Sequence, residues 1–304
     1  MLSEKQKEKA RIFSNMHKAN KMFILPGAWG VGSAYVFEKQ GFKAVATSSA
    51  GIAHDLGYPD GQNMSYNDLL WVVEKIARRI DIPLSVDIER GFSEINEEVK
   101  ENVRKLLAAG AVGLNIEDGL PGWSVSYKNT SYMKPARPCD PGDEVSSVDI
   151  QVQKIKAIAE LKSELGIDFV INARTDLHPL DATDEKGLKA AIDRCNAFAE
   201  AGADCIFVIS ARDDITISKL VAEINAPINI FLRADLSSFE KLDKIGVRRL
   251  STGCNAPRFA YSKTIDMADN LYNGNVSELL GHGFSSGDAN AYFEKGVATN
   301  KLMI

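Results

Sequence analysis

Four stretches of this chain share one join: EKQGFKAVA, LAAGAVGLNI, AEAGADCIFV and DKIGVRRLS. In each, a helical pattern runs into a glycine and an apolar run follows at once. Gly41, Gly110, Gly202 and Gly246 therefore sit where a helix ends in a left-handed residue, a conformation that a Cβ disfavours. Two further joins, DIPLSV and NAPINI, place proline at the strand start instead. Helices that turn straight into strands, repeated without linkers, indicate βα units of one sheet and not two separate domains.

Eight strand candidates follow: Met22–Leu25, Ala44–Ser48, Leu84–Ile88, Gly113–Glu117, Phe169–Ala173, Cys205–Ile209, Ile228–Leu232 and Arg248–Ser251. Runs such as CIFVI are apolar throughout, as strands buried on both faces of a parallel sheet must be. Helical spacing appears between them, as in Leu69, Val72, Val73, Ile76, Ala77 and Ile80, in Val99, Val103, Leu106 and Leu107, and in Ile155, Ile158, Ala159 and Leu161. A polar helix is expected over Ser3–Lys18. Eight units in about 250 residues is the size of an α/β (β/α)8 barrel, read here as one domain over residues 1–304. A doubly wound open sheet is the alternative. GAWGVG at 27–32 approaches a dinucleotide fingerprint, but its spacing is off and no acidic ribose partner follows.

One connection breaks the rhythm. From Asp118 to Ser146 no helix or strand is legible, and Gly119, Pro121, Gly122, Pro135, Pro138, Pro141 and Gly142 punctuate it. A loop this long in a compact domain is a functional lid or a disordered segment. It ends at Ser146-Ser147-Val148-Asp149, a helix start.

Composition closes off other classes. Hydrophobic residues at 45% and charged residues at 25% describe an ordinary globular protein. The net charge of −5 comes without a basic block, which argues against nucleic acid or an anionic membrane as partner. Cys139, Cys195, Cys205 and Cys254 form no CxxC pair, and the expectation is a reducing cytoplasm. The opening MLSEKQKEKAR lacks the apolar core of a secretory signal, and no apolar run reaches membrane-spanning length.

The chemistry of such a barrel belongs at the C-terminal ends of its strands. Asp87 and Glu89, two apart on one strand, face the same side, and Glu117 arrives from the next. Three converging carboxylates repel unless a cation neutralises them. Oxygen-only donors favour a hard ion, Mg²⁺ or Mn²⁺. Arg174 adds a fixed fork suited to a carboxylate or phosphonate, and the turn Ser48–Gly51 offers backbone N–H groups to the same anion. Together these imply a small, oxygen-rich anionic substrate. Plainer roles compete. Asp118 and Asp176 suit helix capping, Arg174 suits balancing Asp176 or Glu117, and Ser48 and Ser49 suit the turn alone. The four histidines show no paired spacing, although His54 sits near the mouth. Cys195 and Cys205 read as core, leaving Cys139 as the cysteine in a reactive setting. No strand end carries Lys, no HxH or HExxH appears, and no strand candidate ends in a Gly-x-Ser-x-Gly elbow.

At these residues the chain resembles the isocitrate lyase / phosphoenolpyruvate mutase superfamily over nearly its whole length. The carrying motifs are PGAWGVGSAYVFEKQGFKAVATSSAGIAHDLGYPDG, PLSVDIERGFS, AGAVGLNIEDG, INARTD and AGADCIFV. The resemblance implies a (β/α)8 barrel with its last helix exchanged between subunits of a homotetramer. Residues 274–304 would then pack on a neighbour. It also implies Mg²⁺ and a 2-oxo acid substrate, with Asp87 as direct metal ligand and Glu89 and Glu117 acting through water. Asp60 would stand beside the metal. Arg174, Ser48, Ser49 and Ala50 would hold the substrate, with Ser210 at the end of strand six nearby. Residues 118–146 would be the gating loop. The chain departs from the pattern there: the lyases' Lys-Lys/Arg-Cys-Gly-His motif is absent, and Lys128-Asn129-Thr130-Ser131 loosely echoes the mutases. Lys128 and Asn129 are the loop's candidate catalytic residues. Strand six ends in Ile209-Ser210 where mutases keep a His. Asp87-Ile88-Glu89 resembles the phosphonomutase-like branch. The expected activity is C–C cleavage through an enolate, with a P–C bond enzyme or a non-catalytic 2-oxo acid binder as alternatives.

Overall fold

The structure, a computed structural model, describes residues 2–120, 145–177, 183–281 and 283–294. Its strands are β1 (Phe23–Leu25), β2 (Gly27–Ala28), β3 (Val45–Thr47), β4 (Leu84–Asp87), β5 (Gly113–Glu117), β6 (Val170–Thr175), β7 (Cys205–Val208), β8 (Ile228–Phe231) and β9 (Arg249–Ser251). They run in the order β1-β9-β8-β7-β6-β5-β4-β3-β2. Every pairing is parallel. The two ends of this order, β1 and β2, are separated in sequence by Pro26 alone. They are one strand broken where proline offers no N–H. Leu25 O accepts from Thr252 N on one side, and Pro26 O from Ala46 N on the other. The sheet therefore closes into a parallel barrel of eight staves, and the open-sheet alternative falls away.

The joins behave as their sequence demands. Gly41, Gly110, Gly202 and Gly246 all have φ between 93° and 110°. Each of the eight strand candidates is found, with bounds differing by at most two residues. Gly27 shows why the first strand needs glycine, because a Cβ there would lie 2.1 Å from the Gly253 carbonyl oxygen. The core is continuous between barrel and helices. Val86, Leu114, Ile171, Ile206 and Ile230 on the strands are fully buried, as are Ile76, Val103, Ile158 and Leu220 on the helices. The opening helix, Glu4–Lys18, is capped by Ser3 and buries Phe13 against Gly113 of β5. Among the described residues no helix is long and apolar enough to cross a membrane.

Only the ends of the long connection are described. Gly119 and Val145 form an antiparallel bridge, and Ser146 N donates to Asp118 O at 2.8 Å. Lys128, Asn129 and Cys139 lie outside the described residues. Ser147 caps the helix Val148–Leu165 that follows, accepting from Ile150 N. At the other end of the chain, the helix Asn255–Tyr272 buries only Pro257 and leaves Phe259 68% and Ile265 62% exposed. Beyond it, the helix Ser286–Phe293 returns to the barrel's outer layer. Phe293 stacks on Tyr35 with 5.9 Å between ring centroids, and Tyr35 Oη donates to Glu294 O at 3.1 Å.

Candidate active site

A cavity of about 150 Å³ opens at the C-terminal ends of the strands. Thr47, Ser48, Ser49, Ala50, Asp60, Asp87 and Arg174 line it, together with Phe207, Ile209, Phe231, Arg233 and Arg258, and Asn115 and Arg249 also face it.

Asp87 ends β4 and is held from three directions. Its N–H donates to Thr47 Oγ1 at 3.1 Å, Ser49 Oγ donates to its Oδ2 at 3.3 Å, and Glu89 N donates to its Oδ1 at 3.2 Å. The chain then turns sharply, with Glu89 at φ 50° and Phe92 at φ 58°. Gln62 Oε1 steadies that turn by accepting from Arg90 N and Phe92 N. Ser48 caps the helix Ser49–Asp55, accepting from Gly51 N. A Cβ on Gly51 would come within 2.9 Å of Trp29 and Pro257, so this turn packs too closely for any side chain.

Arg174, on β6, is the cation among these acids. Its Nη1 lies 2.8 Å from Glu117 Oε2, its register partner on β5, and its Nη2 2.6 Å from Asp176 Oδ1. The balancing role is thus real, and it extends to both acids at once. Burial opposes Arg174's charge, but Asp176, Glu117 and Asp87 outweigh it and hold the guanidinium firmly protonated. Among the described residues no other cation pairs with Asp87, Glu89, Glu117 or Asp176. The cluster is short of positive charge. Burial raises Asp87, with Asp60 adding and Arg174 opposing. Burial, then Asp60 and Asp87, push Glu89 up to about 8. Burial also lifts Glu117 well above the ordinary carboxylate range, against Arg174 and with Asp176, Asp87 and Glu89.

A hard divalent cation fits the chemistry of this donor set. Glu89 Oε1 is buried without a hydrogen-bond partner, and the acids lie in one another's field. Among the described residues, though, no three His, Cys, Asp or Glu side chains are drawn together tightly enough to hold a metal. Direct ligation by Asp87, with Glu89 and Glu117 acting through water, needs no such convergence.

The structure brings Ser48, Ser49, Ala50, Asp60, Asp87 and Arg174 to one cavity. It does not bring Ser210 there. Its hydroxyl donates to Leu177 O at 2.7 Å, and Ile209 takes the cavity wall. Glu89 and Glu117 are buried but are not among the lining residues. Asp118 and Asp176 do not cap helices: Asp118 pairs with Arg194 and Asp176 with Arg174. Sequence reading passed over Asn115, Arg233, Arg249 and Arg258. For one of them the signal was a polar residue between two buried apolar ones, Asn115 between Leu114 and Ile116.

A closed parallel barrel with acids and an arginine around a small cavity at its strand ends is the architecture of barrel sites for small anionic molecules. The profile of the family described as phosphoenolpyruvate phosphomutase matches residues 13–272, and the chain belongs to that family, within the isocitrate lyase / phosphoenolpyruvate mutase superfamily. The "Probable 2-methylisocitrate lyase 2" of Corynebacterium glutamicum is 32% identical over 234 residues, spanning 76% of this chain and 68% of its own length. Two crystal structures from Burkholderia cenocepacia J2315, named for the phosphonomutase and the lyase/mutase classes, are also similar. The first is 32% identical with a TM-score of 0.76, covering 88% of this chain and 99% of that one. The second is 26% identical with a TM-score of 0.82, covering 98% and 99%.

Proposed function

We propose that the chain is a Mg²⁺-dependent lyase that cleaves a C–C bond of a small 2-oxo dicarboxylate through a pyruvate-type enolate. The observation that carries this is the meeting of Asp60, Asp87, Arg174 and the Ser48–Ala50 turn around one small cavity. Asp87 would ligate Mg²⁺ directly, with Glu89 and Glu117 reaching it through water. When bound, the ion supplies electrostatic stabilisation of the enolate's negative charge. Arg174 has five N–H groups, and Glu117 and Asp176 leave part of the fork to hold a substrate carboxylate. The N–H groups of Ser49 and Ala50, in the first turn of the helix that Ser48 caps, would meet the same anion, the Ser48 N–H being taken by Ala28 O. The apolar wall of Phe207, Ile209 and Phe231 excludes water from a carbanion that must not be protonated early. Lys128 and Asn129 remain the loop's candidates for reaching the substrate. Turnover of a panel of 2-oxo acids with and without Mg²⁺ is the test. Activity on the phosphonate member alone would establish the P–C reading, which the 32% likeness to a structure of the phosphonomutase class favours. Oxalate binding without any turnover would establish a binder.

Arg174→Lys is expected to weaken oxalate binding by at least about 1.5 kcal/mol, the lower end for a hydrogen bond to a charged group. A single ammonium cannot face Glu117, Asp176 and a substrate together. Calorimetry in the presence of Mg²⁺ reads this, and unchanged affinity would remove Arg174 from the substrate's contacts.

We further propose that the helix Asn255–Tyr272 is exchanged between subunits of a homotetramer. Its exposed Phe259, Ile265 and Leu271 need apolar cover that the described residues of this chain do not give them. Phe259→Asp with Ile265→Asp should shift the protein to smaller species in light scattering after gel filtration. An unaltered mass for this double variant would place the subunit contact elsewhere.

A further inference from the structure

Arg249 is an unusual residue to find inside a barrel. It is wholly buried, lies two residues before Ser251 on β9, and faces the cavity. Its Nε donates to Ser251 Oγ at 3.0 Å and its Nη2 to Asn115 Oδ1 at 3.0 Å. Asn115 Oδ1 is itself fixed by Asn172 Nδ2 at 2.8 Å. The third nitrogen, Nη1, is buried with no hydrogen-bond partner. Beside it in register, Asn229 is also wholly buried and neither side-chain polar atom is satisfied.

These partners are neutral. Among the described residues no carboxylate forms an ion pair with Arg249, in contrast to Arg174 with its two. Burial draws the guanidinium down to about 10, with Cys205 and Asp87 pulling the other way, so it stays charged at neutral pH. A dry cation that has only neutral partners is a costly arrangement for stability alone. It becomes favourable when an anion arrives with its own charge. The cavity's other arginines differ in burial: Arg258 is exposed, and Arg233 is half-buried and donates through Nη2 to Ile209 O, although its Nε is also buried without a partner.

We propose that Arg249 is a second anion subsite, whose free Nη1 edge receives the far carboxylate of a dicarboxylate held at its 2-oxo end by Arg174. The subsite makes the cavity select diacids, because a monoacid would leave the buried charge unanswered. The inference rests on the 2-oxo acid reading of the site.

The test compares oxaloacetate with 2-oxobutyrate, which match in carbon number but differ in the far carboxylate. Binding to the Mg²⁺-loaded protein is measured by calorimetry for wild type, Arg249→Met and Arg249→Lys. Wild type is expected to prefer oxaloacetate by at least about tenfold, the scale of one charge-assisted hydrogen bond. In Arg249→Met the preference should fall below about threefold, with 2-oxobutyrate and Mg²⁺ binding unchanged. A full preference retained in Arg249→Met overturns the subsite while leaving the 2-oxo acid reading intact. Equal loss for both acids also overturns it, since Arg249 would then serve the shared end. If neither acid binds wild type, the 2-oxo acid reading fails and the subsite with it. Should Arg249→Met not fold, Arg249→Lys keeps the charge without the fork, and an undiminished preference there is equally fatal.

Discussion

Asp87→Ala should yield a folded barrel that neither binds Mg²⁺ nor turns over substrate. The fold survives because the side chain's partners are local. Ser49 Oγ and Glu89 N lose an acceptor at the rim of the cavity, where water can replace it. Removing one of several mutually repelling acids also relieves the metal-free protein, so its melting temperature should hold or rise. Loss of a direct ligand should exceed the ~10–100-fold cost of losing a supporting partner of a metal ligand. Calorimetry with Mg²⁺ and a thermal melt of the same preparation decide this. Mg²⁺ affinity equal to wild type would remove Asp87 as the direct ligand, and a collapsed melt would make its role structural.

Asp87 occupies a position that is legible in the sequence. The glycine joins fix where each helix stops, so the strand ends follow almost residue by residue, and β5 is found with the bounds read from sequence. Asp87 and Arg174 were within reach because strand ends converge in a barrel whatever their distance along the chain, whereas Asp60, in the connection between the helices Ser49–Asp55 and Tyr66–Arg79, was reached through the family resemblance alone. The turn after a strand is harder to read. Ser210 follows Ile209 by one residue, and nothing local says which of the two meets the cavity. The answer came from Leu177, whose carbonyl takes the Ser210 hydroxyl from another loop. Arg249 was missed for a different reason. RRLS reads as a charged join, and only closure of the barrel turns the second arginine inward beside Asn229 and within reach of Asn115. Pairings between distant helices and strand ends were least legible, as with Asp118, whose partner Arg194 lies 76 residues away.

The Asp118–Arg194 pair carries the second large expectation. Asp118 is fully engaged: Oδ2 accepts from Arg194 Nε at 2.9 Å and Oδ1 from Asp176 N at 2.9 Å. Arg194 also donates through Nη2 to Ser146 O, while Ser146 N returns to Asp118 O. Through these bonds one carboxylate fastens the start of segment 118–146 to its end, to the end of β6 and to the helix Glu185–Glu200. Both side chains are buried, at 0% and 8% exposure. Asp118→Ala therefore leaves a buried guanidinium with only the Ser146 carbonyl and the Phe198 ring beside it and should destabilise the protein by about 3–5 kcal/mol. For a chain of this size that is a fall in melting temperature on the order of 6–10 °C. Replacing both partners removes the stranded charge, so Asp118→Ala with Arg194→Met should be less damaging than Asp118→Ala alone. Denaturant titration of the three variants measures this. A loss below about 1 kcal/mol in the single variant would rank the pair with solvent-screened surface bridges. Additive losses in the double variant would mean that each side chain acts through its other contacts, and the two ends of the segment would then be held by the Gly119–Val145 bridge and the backbone bond alone.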